Sequence, residues 1–281
     1  MSENRNDQNC NHVCEGCSVE NCGSRSEQSF LIDLNNKSSV KKRIAIISGK
    51  GGVGKSLVTS LLASAMQKKG YRCAVLDGDI TGPSQGQAFG IHEKANGDGE
   101  CILPAYTKTG IQLISTNMLL ENEDQPVIWR GPMVAGILKQ FYQEVFWDDV
   151  DYMFIDMPPG TSDIPLTLFQ SIPLDGIIVV TSPQELVSKV VEKAIHMANI
   201  MNVKILGIIE NMAYVQCPNC DEKIALFGRS HVQEITEKYG IPVLASLGLN
   251  KDIAEACDKG NIEDIDEKDL EPAIALIENL A

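Results

Sequence analysis

The stretch GKGGVGKS at residues 49–56 constrains the fold more strongly than any other part of this chain. An apolar run, RIAIIS, comes before it, and KSLVTSLLASAMQKKG, with the apolar spacing of a helix, overlaps its end and continues beyond it. The stretch matches G-x-x-x-x-G-K-[ST], in which the backbone N–H groups of a glycine-rich loop and the start of a helix surround phosphate oxygens. A strand, a phosphate-binding loop and a helix are therefore predicted in that order.

Each residue type in this loop has a predicted role. We expect Lys55 to reach the β- and γ-phosphates of ATP and to act in catalysis, and Ser56 to ligate Mg²⁺. The alternative is a glycine-rich turn that binds nothing, which the complete motif in its strand–loop–helix context disfavours. The predicted nucleotide-binding residues are Gly49, Lys50, Gly51, Gly52, Val53, Gly54, Lys55, Ser56 and Leu57.

Short β-branched runs alternate with helical patterns from Lys41 onward. The runs RIAIIS, CAVLD, YMFID, GIIVV, VKILGII and IPVLASL predict buried parallel strands, and the stretches between them predict crossover helices. The predicted fold is α/β, one doubly wound and mostly parallel sheet over residues 41–281, with ligands at the carboxyl ends of the strands. Residues 91–128 alternate less cleanly and predict a short hairpin and loops. Helices are expected at Lys55–Lys69, Met133–Trp147, Glu185–Met201 and Ser230–Tyr239.

Two acidic motifs end predicted strands and lie where phosphate chemistry needs them. Asp77 and Asp79 follow CAVLD, and Asp156 ends VDYMFID. A carboxylate at the end of a neighbouring strand can hold Mg²⁺ or its waters, which suits Asp156, while Asp79 is the better candidate to orient the attacking water. Asp77 fits either role or the support of its turn. Strand-end aspartates are also common turn formers, and that alternative stays open.

The composition predicts the compartment of this chain and argues against two classes of partner. A formal net charge of −14 argues against nucleic acid or anionic lipid as the main partner, because both need a basic surface. No apolar run approaches a membrane-spanning length, and the first residues lack a secretory pattern, so we expect a cytoplasmic protein without membrane attachment. The nine cysteines are then expected as thiols, since the cytoplasm is reducing.

Six of the cysteines form two groups. Residues 1–40 are polar, lack apolar periodicity and predict a flexible Cys-rich arm that orders only around a metal. The spacing within this arm has the density of a ligand set, and His12 can replace one thiol. A separate pair, Cys217 and Cys220, could staple a loop, hold zinc, do redox chemistry or carry a group between molecules. The arm cysteines are Cys10, Cys14, Cys17 and Cys22.

Lys50 in GKGGVGK resembles the signature lysine of the deviant Walker A ATPases. That superfamily includes the MinD and ParA positioning ATPases, arsenite-pump ATPases, the nitrogenase iron protein and the Mrp/ApbC iron–sulfur carriers. In the superfamily this lysine reaches the phosphates across a dimer interface, so the resemblance implies a catalytic role for Lys50 in an ATP-bridged homodimer. A surface lysine without that role is the alternative.

The stretches LDGDITGPS, WRGPMV, DMPPGTSD, TSPQELV and ENMAYVQCPNC together resemble the Mrp/ApbC family over residues 41–250. The resemblance implies that Cys217 and Cys220 of two subunits surround one bridging [4Fe–4S] cluster, and that Asn211 contacts adenine. Four thiolates suit such a cluster, although the same geometry also accepts zinc. Asn211 can instead simply support a turn. The arm resembles the N-terminal cluster site of the eukaryotic-type scaffold branch, but its gap to the central cysteines is shorter. The favoured hypothesis for the arm is a second [4Fe–4S] cluster. Zinc is the next hypothesis, and a tail without a ligand is the third.

By this resemblance we expect an ATP-hydrolysing carrier that assembles a [4Fe–4S] cluster at a homodimer interface. Its partners would be cluster donors and apo iron–sulfur proteins. A MinD- or ParA-like positioning ATPase would need a basic DNA surface or a membrane-binding terminal helix, and neither pattern is visible. An electron-transfer ATPase like the nitrogenase iron protein carries its cysteines in other contexts. A zinc-stabilised nucleotide-binding scaffold is the remaining alternative.

Overall fold

The computed structural model describes residues 30–79, 82–119, 131–160, 163–228, 230–266 and 268–280. The four cysteines of the arm, and with them the predicted second cluster site, lie outside the described residues. The strands are β1 (Val40–Ser48), β2 (Cys73–Asp77), β3 (Asn96–Gly97), β4 (Ile102–Leu103), β5 (Ala105–Tyr106), β6 (Gln112–Ile114), β7 (Val150–Asp156), β8 (Gly176–Thr181), β9 (Ile205–Glu210), β10 (Val215–Gln216), β11 (Lys223–Ile224) and β12 (Val243–Ser246). The helices are α1 (Lys55–Lys68), α2 (Gln85–Ala88), α3 (Gly131–Glu144), α4 (Asp163–Ser171), α5 (Glu185–Ile200), α6 (Val232–Tyr239), α7 (Lys251–Asp258) and α8 (Glu271–Glu278).

Eight of the described strands form one sheet in the order β12-β9-β8-β1-β7-β2-β6-β5. Neighbouring strands run parallel except at the β5–β6 edge, where the pairing is antiparallel. After β1 the chain builds one half of the sheet through β2, β6 and β7, and then the other half through β8, β9 and β12. The order therefore reverses beside β1, and the predicted doubly wound α/β fold is confirmed. Ligands bind at such a switch point, outside the carboxyl ends of the strands.

The central strands are buried because they lie within a parallel sheet that helices cover. Every residue of β2 and β8 is buried, and Phe141, Tyr142 and Trp147 are among the largest fully buried side chains. All six apolar runs that the sequence marked as strands are strands of this sheet. Their burial on both faces explains why they read as continuous apolar runs without alternation.

Two details differ from the sequence prediction. Residues 91–128 contain the expected hairpin, β3 with β4, but also β6, which pairs in parallel with β2 and extends the main sheet. Only three residues long, β6 has too few positions to show a strand pattern. The helix expected over Met133–Trp147 ends at Glu144, and the buried indole of Trp147 donates to the carbonyl oxygen of Tyr142 (3.2 Å).

The segment just before β1 lies against the body of the fold. The backbone N–H of Ile32 donates to the carbonyl of Ser171 (2.8 Å), and the side-chain amide of Asn35 donates to the carbonyls of Gln143 and Val145. These contacts tie residues 30–40 to the ends of α3 and α4. The division into an arm over residues 1–40 and a body over residues 41–281 stays a prediction. Among the helices that the structure describes, none has both the length and the apolar character needed to cross a bilayer.

Candidate functional site

The glycine-rich loop joins the carboxyl end of β1 to the first turn of α1, as predicted. Its backbone requires glycine at two positions, because Gly52 and Gly54 have φ angles of +80° and +82°. At Gly54 a side chain is also excluded by space, since a Cβ there would lie 2.1 Å from the amide nitrogen of Asn211. Val53 anchors the loop through its buried side chain. The loop therefore has the left-handed backbone turns and, at Gly52 and Gly54, the lack of side chains that a phosphate-binding loop needs.

Lys55 opens α1 and lies among carboxylates. Its side chain is 4% exposed, its ammonium group forms an ion pair with Oδ1 of Asp156, and Oδ2 of Asp79 lies 3.8 Å away. The hydroxyl of Ser56 lies 3.5 Å from the same ammonium group. The structure thus brings together four of the residues predicted for phosphate and magnesium chemistry. Hydroxyl and carboxylate oxygens are the ligands that Mg²⁺ prefers, so this set fits the ion.

Asp77 is held in place by its neighbours. It lies beside Asp156 in the register of β2 and β7, and it accepts hydrogen bonds from the backbone N–H groups of Asp79 and Gln85 and from the Ser115 hydroxyl. Burial, followed by repulsion from the Asp156 carboxylate, raises the pKa of Asp77 to about 7. Of the roles weighed for Asp77, its contacts match the support of the turn.

Gln85 is a site residue that the sequence did not reveal. It is fully buried at the start of α2, and its side-chain amide contacts Asp156, Ser56 and Ser60. No motif marks a glutamine at this point, because its importance depends on where α2 meets α1 and β7. Ser115 was also missed. It directly follows β6, and because that short strand was not predicted, Ser115 was not recognised as a residue at a strand end.

The predicted adenine contact, Asn211, lies at the carboxyl end of β9. Its side-chain amide donates to the carbonyl of Val53 (3.0 Å), and its backbone N–H donates to the carbonyl of Thr181 (2.8 Å). Asn211 is buried against the phosphate loop, so it supports the loop directly. Its predicted contact with adenine stays a prediction.

Lys50 lies at the outer side of the loop. Its ammonium group donates to the side-chain oxygen of Gln184, and its carbonyl accepts from the Ser48 hydroxyl (2.9 Å). This half-buried position differs from that of Lys55, which is enclosed by carboxylates. The role of Lys50 across a dimer interface stays a prediction.

The cysteine pair lies on a hairpin formed by β10 and β11. The backbone N–H of Cys217 donates to the carbonyl of Glu222 (2.9 Å), and that of Asp221 donates to the carbonyl of Cys217 (3.0 Å). The backbone N–H of Asn219 and the Cys220 thiol and N–H lie against the sulfur of Cys217 and lower the pKa of its thiol. Cys220 is exposed, and Cys217 is partly so. The pair therefore presents two accessible sulfurs, one of them favoured as thiolate, the form that binds metals.

The hairpin begins four residues after Asn211, which contacts the phosphate loop. Beyond Asn211, the backbone N–H of Ala213 donates to the carbonyl of Leu247 (2.8 Å), and that of Leu249 donates to the carbonyl of Tyr214 (2.7 Å). The Tyr214 hydroxyl donates to Asp269, and the ammonium group of Lys223 lies 4.0 Å from the centre of the Tyr214 ring. The base of the hairpin is thus fixed to the segment after β12, while its tip is exposed.

Comparison with known proteins assigns this chain to a family. The family model described as ParA, NUBPL iron-transfer P-loop NTPase, matches residues 39–281. The chain belongs to this family. The resemblance drawn from the sequence motifs is thereby confirmed, and the match extends over the whole described sheet.

Individual relatives agree with this assignment. The chain is 46% identical over 237 residues to the iron-sulfur cluster carrier protein of Clostridium perfringens, covering 82% of this chain and 83% of that protein. The nucleotide-binding protein of Archaeoglobus fulgidus, solved in complex with ADP, is 39% identical with a TM-score of 0.74, covering 86% and 93%. The cell division ATPase MinD of Pyrococcus furiosus is 20% identical with a TM-score of 0.58, covering 85% and 99%, and it shares the fold.

Proposed function

We propose that this chain is an ATP-hydrolysing carrier of iron–sulfur clusters that works as a homodimer. In this proposal Cys217 and Cys220 of two subunits hold one [4Fe–4S] cluster as cargo, which is passed from a donor to an apo-protein. Two observations of different kind support it: membership of an iron-transfer family, and a 46% identical relative that is named an iron-sulfur cluster carrier protein. The structural observation that carries it is the exposed thiol pair, with backbone N–H groups directed at Cys217.

The surroundings of the thiols support a second copy of the chain as the partner. A [4Fe–4S] cluster takes four thiolates, and one hairpin supplies two. Three exposed apolar side chains follow the cysteine pair in the sequence. They are Ile224 (45% exposed), Leu226 (57%) and Phe227 (41%). Apolar groups clustered at a surface mark sites of contact with another molecule. A symmetric pair of hairpins would bury these groups and complete the ligand set in one step.

ATP would act at the phosphate loop, which Asn211 contacts at the carboxyl end of β9. We infer that Lys55 leaves Asp156 to bind the β- and γ-phosphates, and that the freed Asp156 and the Ser56 hydroxyl hold Mg²⁺. When bound, the ion neutralises phosphate charge. Asp79 would orient the attacking water, and Lys50 of the second subunit would add positive charge at the phosphates. Asn211, which touches the loop and lies six residues before Cys217, would transmit the nucleotide state to the hairpin.

The test is the iron and acid-labile sulfide content per dimer after reconstitution without oxygen. Every variant is made in a background whose four arm cysteines are replaced by alanine, and that background protein should hold about four irons and four sulfides per dimer. Cys217→Ala/Cys220→Ala should hold none, and its oligomeric state should become that of the apo-protein. Cys101→Ala/Cys257→Ala, which removes two partly buried thiols elsewhere, is the matched control and should keep the cluster. Stoichiometric zinc without sulfide in the wild-type protein would refute the carrier function.

Coupling to ATP needs its own measurement. Transfer of the cluster from the loaded dimer to an apo-ferredoxin should proceed at different rates with ATP, ADP and no nucleotide, because a ligand shifts an equilibrium only through different affinities for its states. Equal rates in the three conditions would contradict the coupling. That result would leave the cluster site itself intact.

A further inference from the structure

Gln85 occupies a central position in the phosphate site without belonging to any motif. Its side chain is fully buried, and its amide is fully used: Nε2 donates to Oδ2 of Asp156 (2.8 Å) and to the carbonyl of Ser56 (3.0 Å), and Oε1 accepts from the hydroxyl of Ser60 (2.7 Å). Its backbone N–H donates to Asp77 (3.2 Å). One residue therefore joins the ends of β2 and β7 to the first two turns of α1.

The orientation of the amide follows from its partners. Asp156 Oδ2 and the carbonyl oxygen of Ser56 are both acceptors, so the amide group must present its nitrogen to them. The hydroxyl of Ser60 satisfies the remaining oxygen. A reversed amide would place oxygen against two oxygens in a buried site, which is strongly unfavourable. The amide is thus held in one orientation.

The two oxygens of Asp156 have different partners. Oδ1 is paired with the ammonium group of Lys55, while Oδ2 is held by Gln85. If Lys55 turns to the phosphates when ATP binds, Oδ1 loses its cation and keeps only the Thr59 hydroxyl (3.5 Å), while Oδ2 keeps Gln85. A neutral amide fixes the rotamer of the carboxylate without cancelling its charge. When Lys55 leaves, Oδ1 of Asp156 therefore keeps its orientation toward the phosphate site.

We propose that Gln85 is a positioning residue that holds Asp156 and Ser56 in register as the two protein ligands of Mg²⁺. The proposal rests on the nucleotide site of the proposed function. Groups that support metal ligands in this way commonly change metal affinity when they are replaced, since a ligand without its support adopts other rotamers. If Gln85 only fills buried space, its replacement lowers stability without a specific effect on Mg²⁺.

The experiment measures the dissociation constant of ATP without Mg²⁺ and with Mg²⁺. The first constant divided by the second is the Mg²⁺ ratio, which reports how much the metal contributes to binding. Gln85→Met keeps the length of the side chain but removes its hydrogen bonds. Gln87→Met makes the same change at an exposed position of the same short helix and is the matched control. Each variant is also made in an Asp156→Asn background, so that a double-mutant cycle shows whether Gln85 acts through Asp156.

We expect Gln85→Met to reduce the Mg²⁺ ratio by about tenfold with Asp156 present and by less than about twofold with Asn at that position. The affinity for ATP without Mg²⁺ should change by less than about twofold, and Gln87→Met should change neither. An equal loss in both backgrounds, or no loss in either, would overturn the inference. If wild-type protein binds ATP equally with and without Mg²⁺, the nucleotide site of the proposed function fails as well, so the two failures are distinguishable.

A milder variant covers the case in which Gln85→Met does not fold. Ser60→Ala removes the donor to Oε1 of Gln85 and should reduce the Mg²⁺ ratio in the same direction by about two- to fivefold, as expected for loss of one supporting hydrogen bond. Ser64→Ala, one turn further along α1, is its control, because the buried Ser64 hydroxyl has no hydrogen-bond partner among the described residues. Equal Mg²⁺ ratios for these two variants would also overturn the inference.

Discussion

The phosphate site and the cysteine hairpin are linked through Asn211, which contacts the phosphate loop and precedes β10 by four residues, but they are built differently. At the phosphate site the charged and polar side chains are buried and saturated by one another, as at Lys55, Asp156 and Gln85. At the hairpin the thiols are accessible, and the residues that follow are exposed. The described side chains of the first site therefore satisfy one another within one chain. The second presents two accessible thiols at the surface.

The two regions should also differ in how much their replacement changes the stability of the fold. Buried strands and the groups fixed between them open only with the whole domain, whereas an exposed two-stranded hairpin can open locally at low cost. Replacements at the phosphate site should therefore change folding as well as binding. Replacements at the hairpin should change binding alone. Four predictions test this difference, beginning with the largest expected effect.

Thiol reactivity should differ most between the two regions. In apo-protein, we expect Cys217 and Cys220 to react with iodoacetamide at least about a thousandfold faster than Cys73, whose reaction needs global unfolding. Burial also raises the pKa of the Cys73 thiol, while contacts from Asn219 and Cys220 lower that of Cys217. Peptide mapping by mass spectrometry after timed quenching separates the three thiols. Comparable labelling of Cys73 in folded protein would remove the contrast.

The two lysines of the phosphate loop should differ in their effect on folding. Lys55→Met leaves Asp156 and Asp77 buried without their cation, and we expect it to lower the free energy of unfolding by about 3 kcal/mol. Lys50→Met removes only a hydrogen bond at the outer side of the loop and should cost less than about 0.5 kcal/mol. Urea denaturation of apo-protein near pH 7.5 measures both. Equal losses of stability in the two variants would contradict the buried ion pair of Lys55 with Asp156 as the source of the difference.

Asp77 should give the folded protein a characteristic pH dependence. Its pKa of about 7 in the folded state lies above its unfolded value, so the folded state binds a proton that the unfolded state releases. The stability that Asp77 contributes is present below the unfolded pKa and is lost as the pH rises through about 7. The difference in unfolding free energy between wild type and Asp77→Asn should thus shrink between pH 5 and pH 8, by on the order of 2 kcal/mol. Parallel pH profiles would contradict this prediction.

The base of the hairpin should show the smallest effect. Lys223→Met removes the ammonium group above the Tyr214 ring, and we expect the amide of Cys217 to exchange its hydrogen about two- to fivefold faster. Amides of β1 and β8 should be unaffected, because they open only with the whole domain. Lys94→Met, at another exposed lysine, serves as the control. Faster exchange in β1 as well would show that the hairpin is part of the core unit.

Six strands of the main sheet could be predicted because each of them leaves a local signature. Strands such as β2 and β8 are buried on both faces, so they appear as short β-branched runs. The three-residue β6 could not be found, because its pairing with β2 depends on the whole sheet. The predicted group of Asp79, Asp156 and Lys55 followed from a general rule, that the carboxyl ends of parallel strands meet at one edge.

The partners of individual side chains could not be predicted in the same way. The hydrogen bond from the Asn211 amide to the carbonyl of Val53 joins the end of β9 to the phosphate loop, and no local pattern marks it. Gln85 had no signal, since a glutamine at a helix start is ordinary in sequence. The exposed state of Cys220 and the burial of Cys73 depended on the fold.

The sequence by itself determined the α/β fold, the phosphate loop and the types of ligand that this chain can offer. It did so because glycine spacing, apolar runs and cysteine spacing are local properties of the chain. Only the tertiary structure decided that Lys55 rests on Asp156, that Gln85 supports the same carboxylate, and that the hairpin thiols face outward. These contacts join residues from separate strands and helices, and their geometry exists only once the sheet has brought those elements together.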